Sequence, residues 1–143
     1  MIANAFIDTN VLVYAHTDMD TIKQIIAQNV MSDDTIKTFV STQVLNELAN
    51  TLNRKFKQGW LDVERVLSDV SENNNVYTND VDAIIKSCQI AKRYSFSFYD
   101  SLIITASLEC DCSILYSEDL HDGQIIENKL RIVNPFKQSK APA

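Results

Sequence analysis

Residues 6 to 15 read FIDTNVLVYA. A short apolar run ends in an aspartate, Thr9 and Asn10 follow, and the chain turns apolar again. An ionised carboxylate set against a core has two ordinary readings. It is a turn residue that caps a helix beginning at Asn10, or it belongs to a site that holds a metal ion through oxygen ligands. Residues 2–7 read as a buried strand and residues 10–15 as a short helix, so Asp8 stands just past the carboxyl end of a strand. The rest of the chain decides between the two readings.

Outward from this stretch, strands and helices alternate. Residues 18–31 read as a helix, TFVST at 38–42 as a second strand, and QVLNELANTLNRKF at 43–56 as a helix with Leu45, Leu48, Leu52 and Phe56 at helical spacing. Gly59 ends that helix and residues 61–72 form the next. Residues 80–94 are expected to be amphipathic, with Val81, Ile84, Ile85, Cys88 and Ala91 on the apolar side. YDSLIITASLEC at 99–110 is apolar nearly all round, as a buried central helix is. SILYS at 113–117 and RIV at 131–133 read as strands. This alternation implies an α/β sandwich around a mostly parallel sheet.

The 143 residues suit one domain with a full core. We expect it over residues 1–136, with a frayed tail at 137–143. Cysteines are three, Cys88, Cys110 and Cys112, and histidines two, His16 and His121. An odd cysteine count with a C-x-C pair is not a zinc motif, and it fits reduced thiols in a cytoplasmic protein. Neither a signal-like segment nor an apolar run near the ~20 residues of a membrane span is seen. The net charge of −6 argues against a general nucleic-acid coat, whose affinity would rest on many basic contacts to phosphate. It leaves room for an enzyme with acids in its site and bases on the rim.

Acids stand at four separate places along the chain. Asp8 follows the first strand, and Glu118 and Asp119 follow SILYS. Ligands of open α/β sheets bind outside the carboxyl ends of the strands, so these acids point toward one crevice from two strands. Asp100 begins the buried helix, where a first-turn acid also suits the helix dipole. Glu47 lies off the Leu45–Leu48–Leu52–Phe56 stripe, near Val44 and Thr51, where a solvated glutamate is the plain alternative. Each acid alone has such an ordinary structural explanation.

Their joint order is more telling. FIDTNVLVYA, then STQVLNELANTL, then SFYDSLIITASLECDCSILYSEDLHDG resembles the PIN-domain ribonucleases across nearly the whole chain, and the short length and ending look most like the VapC-type toxins of bacterial toxin–antitoxin pairs. The resemblance implies a PIN-like α/β/α sandwich with a central, mostly parallel sheet. It implies a Mg²⁺-dependent endoribonuclease, with Mn²⁺ able to substitute, and a cognate antitoxin and homodimerisation. Carried over, Asp8, Glu47, Asp100 and Asp119 form the acidic metal-holding cluster. Asn10 and Ser117 match positions that orient these acids, and Asp122 is an additional nearby acid. Arg54, Lys55 and Lys57 after the Glu47 helix, and Lys86, Lys92 and Arg93 before Asp100, are candidates to flank an RNA groove, against the plain alternative of a solvated surface. Two other readings are open. One is a PIN-fold interaction domain without turnover, which the intact four-acid set opposes. The other is a haloacid-dehalogenase-like phosphohydrolase, which wants Asp-x-Asp where this chain has Asn10.

Overall fold

The computed structural model describes residues 2–137. Of the tail expected at 137–143, only Lys137 lies within the described residues. Six strands make one sheet: β1 (Ala3–Ile7), β2 (Ile36–Ser41), β3 (Asn75–Tyr77), β4 (Ile114–Tyr116), β5 (Ile125–Ile126) and β6 (Leu130–Val133). Their spatial order is β3-β2-β1-β4-β6-β5, parallel throughout except for the β5–β6 pair. Six helices accompany them: α1 (Thr9–Ala15), α2 (Thr21–Met31), α3 (Thr42–Arg54), α4 (Trp60–Asn73), α5 (Val81–Tyr94) and α6 (Phe98–Glu109). This is the α/β/α sandwich with a mostly parallel sheet that the alternation implied.

The inner strands are apolar because both their faces are covered. Phe6 and Ile7 of β1, Val40 of β2, Leu115 of β4 and Ile132 of β6 are fully buried. From α3 they meet Val44, Leu48 and Leu52, which are also fully buried. Each such side chain contributes roughly 1.5–3 kcal/mol relative to exposure. α6 is enclosed from Ser101 to Ser107, as its apolar circumference requires. Its three small polar residues there bond within the helix or to α5, where Ser87 Oγ lies 3.0 Å from Thr105 Oγ1.

Three local expectations are corrected. The helix expected from residue 18 starts at Thr21, because the Asp20 side chain accepts from the Lys23 N–H at 3.1 Å and caps it. The two shortest edge strands, β3 and β5, were not expected as strands at all. On α5 the buried side chains are Ala83, Ser87 and Ile90. Val81 and Ile85, expected inside, are 72% and 60% exposed, and Ile84 and Cys88 are exposed too. The buried stripe therefore pairs the small Ala83 and Ser87 with Ile90 against α6, while Val81, Ile84 and Ile85 face outward.

The order of the sheet sets the position of the site. β1 is central, with β2 on one side and β4 on the other, and the chain direction of assembly reverses at β1. The crevice at the carboxyl ends of β1 and β4 is a topological switch point, the usual binding place in such sheets.

Candidate active site

Asp8 ends β1 and begins α1. Its backbone N–H continues the sheet to the Tyr116 carbonyl at 3.0 Å. Its Oδ1 accepts from the Thr9 N–H at 2.7 Å, and its Oδ2 accepts from the buried Ser117 hydroxyl at 2.8 Å. Asp8 is thus both a helix cap and a buried carboxylate in the crevice, and the two readings of the opening stretch are not exclusive. Burial pushes its pKa up to about 6, against the downward pull of the Ser117 and Thr9 hydrogen bonds, with Glu47 and Asp119 adding like-charge repulsion.

Those two acids arrive from other segments. Glu47 is an exposed residue of α3, off the buried Val44–Leu48 face, and its Oε1 accepts from the Thr9 hydroxyl at 2.9 Å. Asp119 follows β4. Its Oδ2 accepts from Asn10 Nδ2 at 3.1 Å, and its N–H donates to Ser117 Oγ at 3.3 Å. Asn10 uses its other end as well, accepting from the Glu118 N–H at 3.1 Å. Asn10 and Ser117 thereby join the end of β1 to the loop after β4. A groove of about 270 Å³ runs past these groups, lined by Thr9, Asn10, Tyr14, Glu47, Lys55 and Asp119 among others.

Asp100 lies in the first turn of α6, whose N-cap Ser97 accepts from the Asp100 N–H at 3.2 Å. Its side chain has no hydrogen bond to the other three acids among the described residues. The link between its helix and theirs is Gln43 of α3, whose Nε2 donates to the Tyr99 carbonyl at 3.1 Å. Asp122 is committed elsewhere: Oδ1 accepts from the Asn134 N–H at 2.8 Å and Oδ2 pairs with Lys137 at 3.5 Å. That backbone hydrogen bond holds its carboxyl below the ordinary range. Of the basic residues singled out, Lys55 lines the groove, while Lys86 pairs with Asp82 and Glu109, and Arg93 with Glu127.

Two features escaped the sequence. Thr9 is the hydroxyl that holds Glu47, and only its place in the Asp–Thr–Asn triplet hinted at a role. Glu118, next to Asp119, is turned from the acids by a salt bridge to Lys23 and a 2.9 Å hydrogen bond from the Tyr14 hydroxyl. Lys23 also lies 4.8 Å from the Tyr14 ring centroid. Nothing local marks a pair 95 residues apart.

The donors fit a hard divalent cation. All are carboxylate oxygens, and the buried Asp8 has no cationic partner among the described residues. No three His, Cys, Asp or Glu side chains among those residues are gathered into a ready cage.

Fold and site together define an α/β/α protein with an acidic crevice at its switch point. The model of the PIN domain matches residues 5–125, and the chain belongs to the PIN-domain family. That membership sets aside the dehalogenase-like alternative. No curated protein matches the sequence. Among solved structures, the chain is similar to VapC20 of Mycobacterium tuberculosis, a sarcin–ricin-loop-cleaving toxin, with a TM-score of 0.68 at 18% identity, covering 80% of this chain and 89% of that one. It is similar to a toxin–antitoxin complex from Klebsiella pneumoniae, with a TM-score of 0.69 at 16% identity over 94% and 99% of the two chains. VapBC2 of Rickettsia felis, bound to a DNA fragment from its promoter, gives 0.57 at 12% identity over 81% and 88%. At these identities the likeness is one of fold. No helix among the described residues is long and apolar enough to cross a membrane.

Proposed function

We propose that this protein is a Mg²⁺-dependent endoribonuclease, acting in the cytoplasm as the toxin of a toxin–antitoxin pair. The observation that carries the reading is the buried Asp8, approached by Glu47 from α3 and Asp119 from the loop after β4, with no cationic side chain paired to Asp8 among the described residues. Burying an uncompensated carboxylate is costly, and a site that takes a cation explains why the chain retains it. The toxin–antitoxin proteins among its structural neighbours support the biological setting.

Asp8, with Asp119 and Glu47, would hold the ion, and Asp100 would complete the set from α6. When bound, Mg²⁺, or Mn²⁺ in its place, supplies an activated water and neutralises charge at the leaving oxygen. The chain's own residues do the positioning. Thr9 keeps Glu47 turned into the groove, Asn10 ties Asp119 to the start of α1, and Ser117 keeps Asp8 ionised at lower pH than burial alone would allow. Lys55 on the groove wall suits a backbone phosphate. Arg54, Lys57 and Lys92 are further candidates for RNA contact. An antitoxin would silence the site by placing a basic side chain among the carboxylates, since the fork of an arginine matches a carboxylate. The protein would pair with a second copy, for which the outward Val81–Ile84–Ile85 stripe of α5 offers an uncovered apolar face.

The test is a parallel digest of structured RNA, single-stranded DNA and duplex DNA in millimolar Mg²⁺, with and without excess EDTA. We expect RNA to be cut, and only without EDTA. Preferential cutting of duplex DNA, or full RNA cleavage in EDTA, would refute the proposal.

A further inference from the structure

We propose that Tyr99, with Phe98 beside it, is a stacking platform for an unpaired nucleobase of the RNA; this rests on the RNA-cleaving reading above. Tyr99 is 66% exposed and Phe98 39% exposed, and both lie in the first turn of α6, directly before Asp100. The rings meet edge to face, with centroids 5.5 Å apart at 74°. The Tyr99 hydroxyl has no hydrogen-bond partner among the described residues. The ring is therefore neither core nor a polar anchor.

Its backbone, by contrast, is held firmly. Gln43 is 8% exposed, and its Nε2 donates to the Tyr99 carbonyl, while its Oε1 is buried without a partner among the described residues. An orphaned buried acceptor is destabilising, and an apolar residue at this position would avoid it. What Gln43 secures in return is the position of Tyr99 relative to α3, where Glu47 sits one helical turn further on. A pinned backbone under an exposed aromatic pair, next to an acid of the site, suits a base that must be held while its phosphate lies among the carboxylates. Single-stranded RNA offers such bases, and aromatic faces take them without needing a particular hydrogen-bonding edge. Duplex bases are stacked already and have no face to give.

The experiment compares the parent with Tyr99→Ala, Tyr99→Leu and Tyr99→Phe on a short single-stranded RNA. Loss of one base–aromatic stack should raise KM by roughly 5- to 150-fold, with kcat moving less. Ala and Leu should both show it, because bulk without a π face does not stack, and Phe should rescue it. A second readout removes catalysis and bears on contact alone. In the Asp8→Asn background, 2-aminopurine in the RNA should be quenched on binding when residue 99 is Tyr or Phe, and not when it is Ala or Leu. Matching melting curves confirm that all three variants fold. If the parent cuts RNA and Tyr99→Ala keeps the parent's KM and quenching, the platform is wrong while the ribonuclease reading stands. If the parent cuts no RNA, both fail.

Discussion

Asp8 is where the physical tension is greatest. Its carboxyl has a pKa near 6 in the folded protein against an ordinary value of 3.8, with burial the leading cause. A carboxyl whose pKa is raised by folding binds its proton more tightly in the native state. Between about pH 4 and pH 6 the native state therefore holds the proton and the unfolded chain does not, and stability falls as pH rises through this window. Above pH 6 the ionised Asp8 costs up to about 3 kcal/mol. Asparagine caps a helix about as well as aspartate and carries no charge. In EDTA, Asp8→Asn should accordingly melt a few degrees above the parent at pH 7.5, and the gap should close by pH 4. Paired melting curves across that range check this. A gap that does not change with pH would mean that Asp8 is solvated and not in a desolvated acidic cluster.

At the level of elements, what the sequence makes legible is decided by how each helix or strand is buried. α6 was readable because it is enclosed on every side, so its composition alone announces it. Strands β1, β2 and β4 were readable because both faces of an inner parallel strand are apolar. β3, with three residues on an edge, and β5, with two, are too short to show a period. α5 misled for a different reason. Hydrophobic spacing identifies an apolar stripe but not what covers it, and here the covered stripe is Ala83, Ser87 and Ile90. The outward one is expected to meet a second copy of the chain. Ile85→Glu, at a position 60% exposed, should leave the stability of the monomer unchanged within about 0.5 kcal/mol. It should also convert a dimer at tens of micromolar to a monomer by light scattering. A parent that is already monomeric, or a variant that stays dimeric, would remove α5 from the interface.

For the molecule as a whole, the sheet brings together what the sequence holds apart. Asn10 and Asp119 are 109 residues apart and hydrogen-bonded, and Thr9 reaches Glu47 across 38. The residue types and their order were legible in the sequence. The contacts were not, because Asp8, Glu47 and Asp100 each have an ordinary local role, as cap, solvated acid or first-turn acid, and nothing local shows what else they meet. Asp122 shows the converse: an acid close in sequence to Asp119 that is spent on closing the turn before β5 onto Asn134. The proposed activity is metal-dependent RNA cleavage by the acids at the β1–β4 crevice. Its most direct test is the cleavage rate of Asp8→Asn beside the parent, in saturating Mg²⁺ and at a temperature where both are folded. We expect a loss of more than about 100-fold, beyond what removal of a residue that merely orients a metal ligand costs. Cleavage by Asp8→Asn at the parent's rate would contradict it.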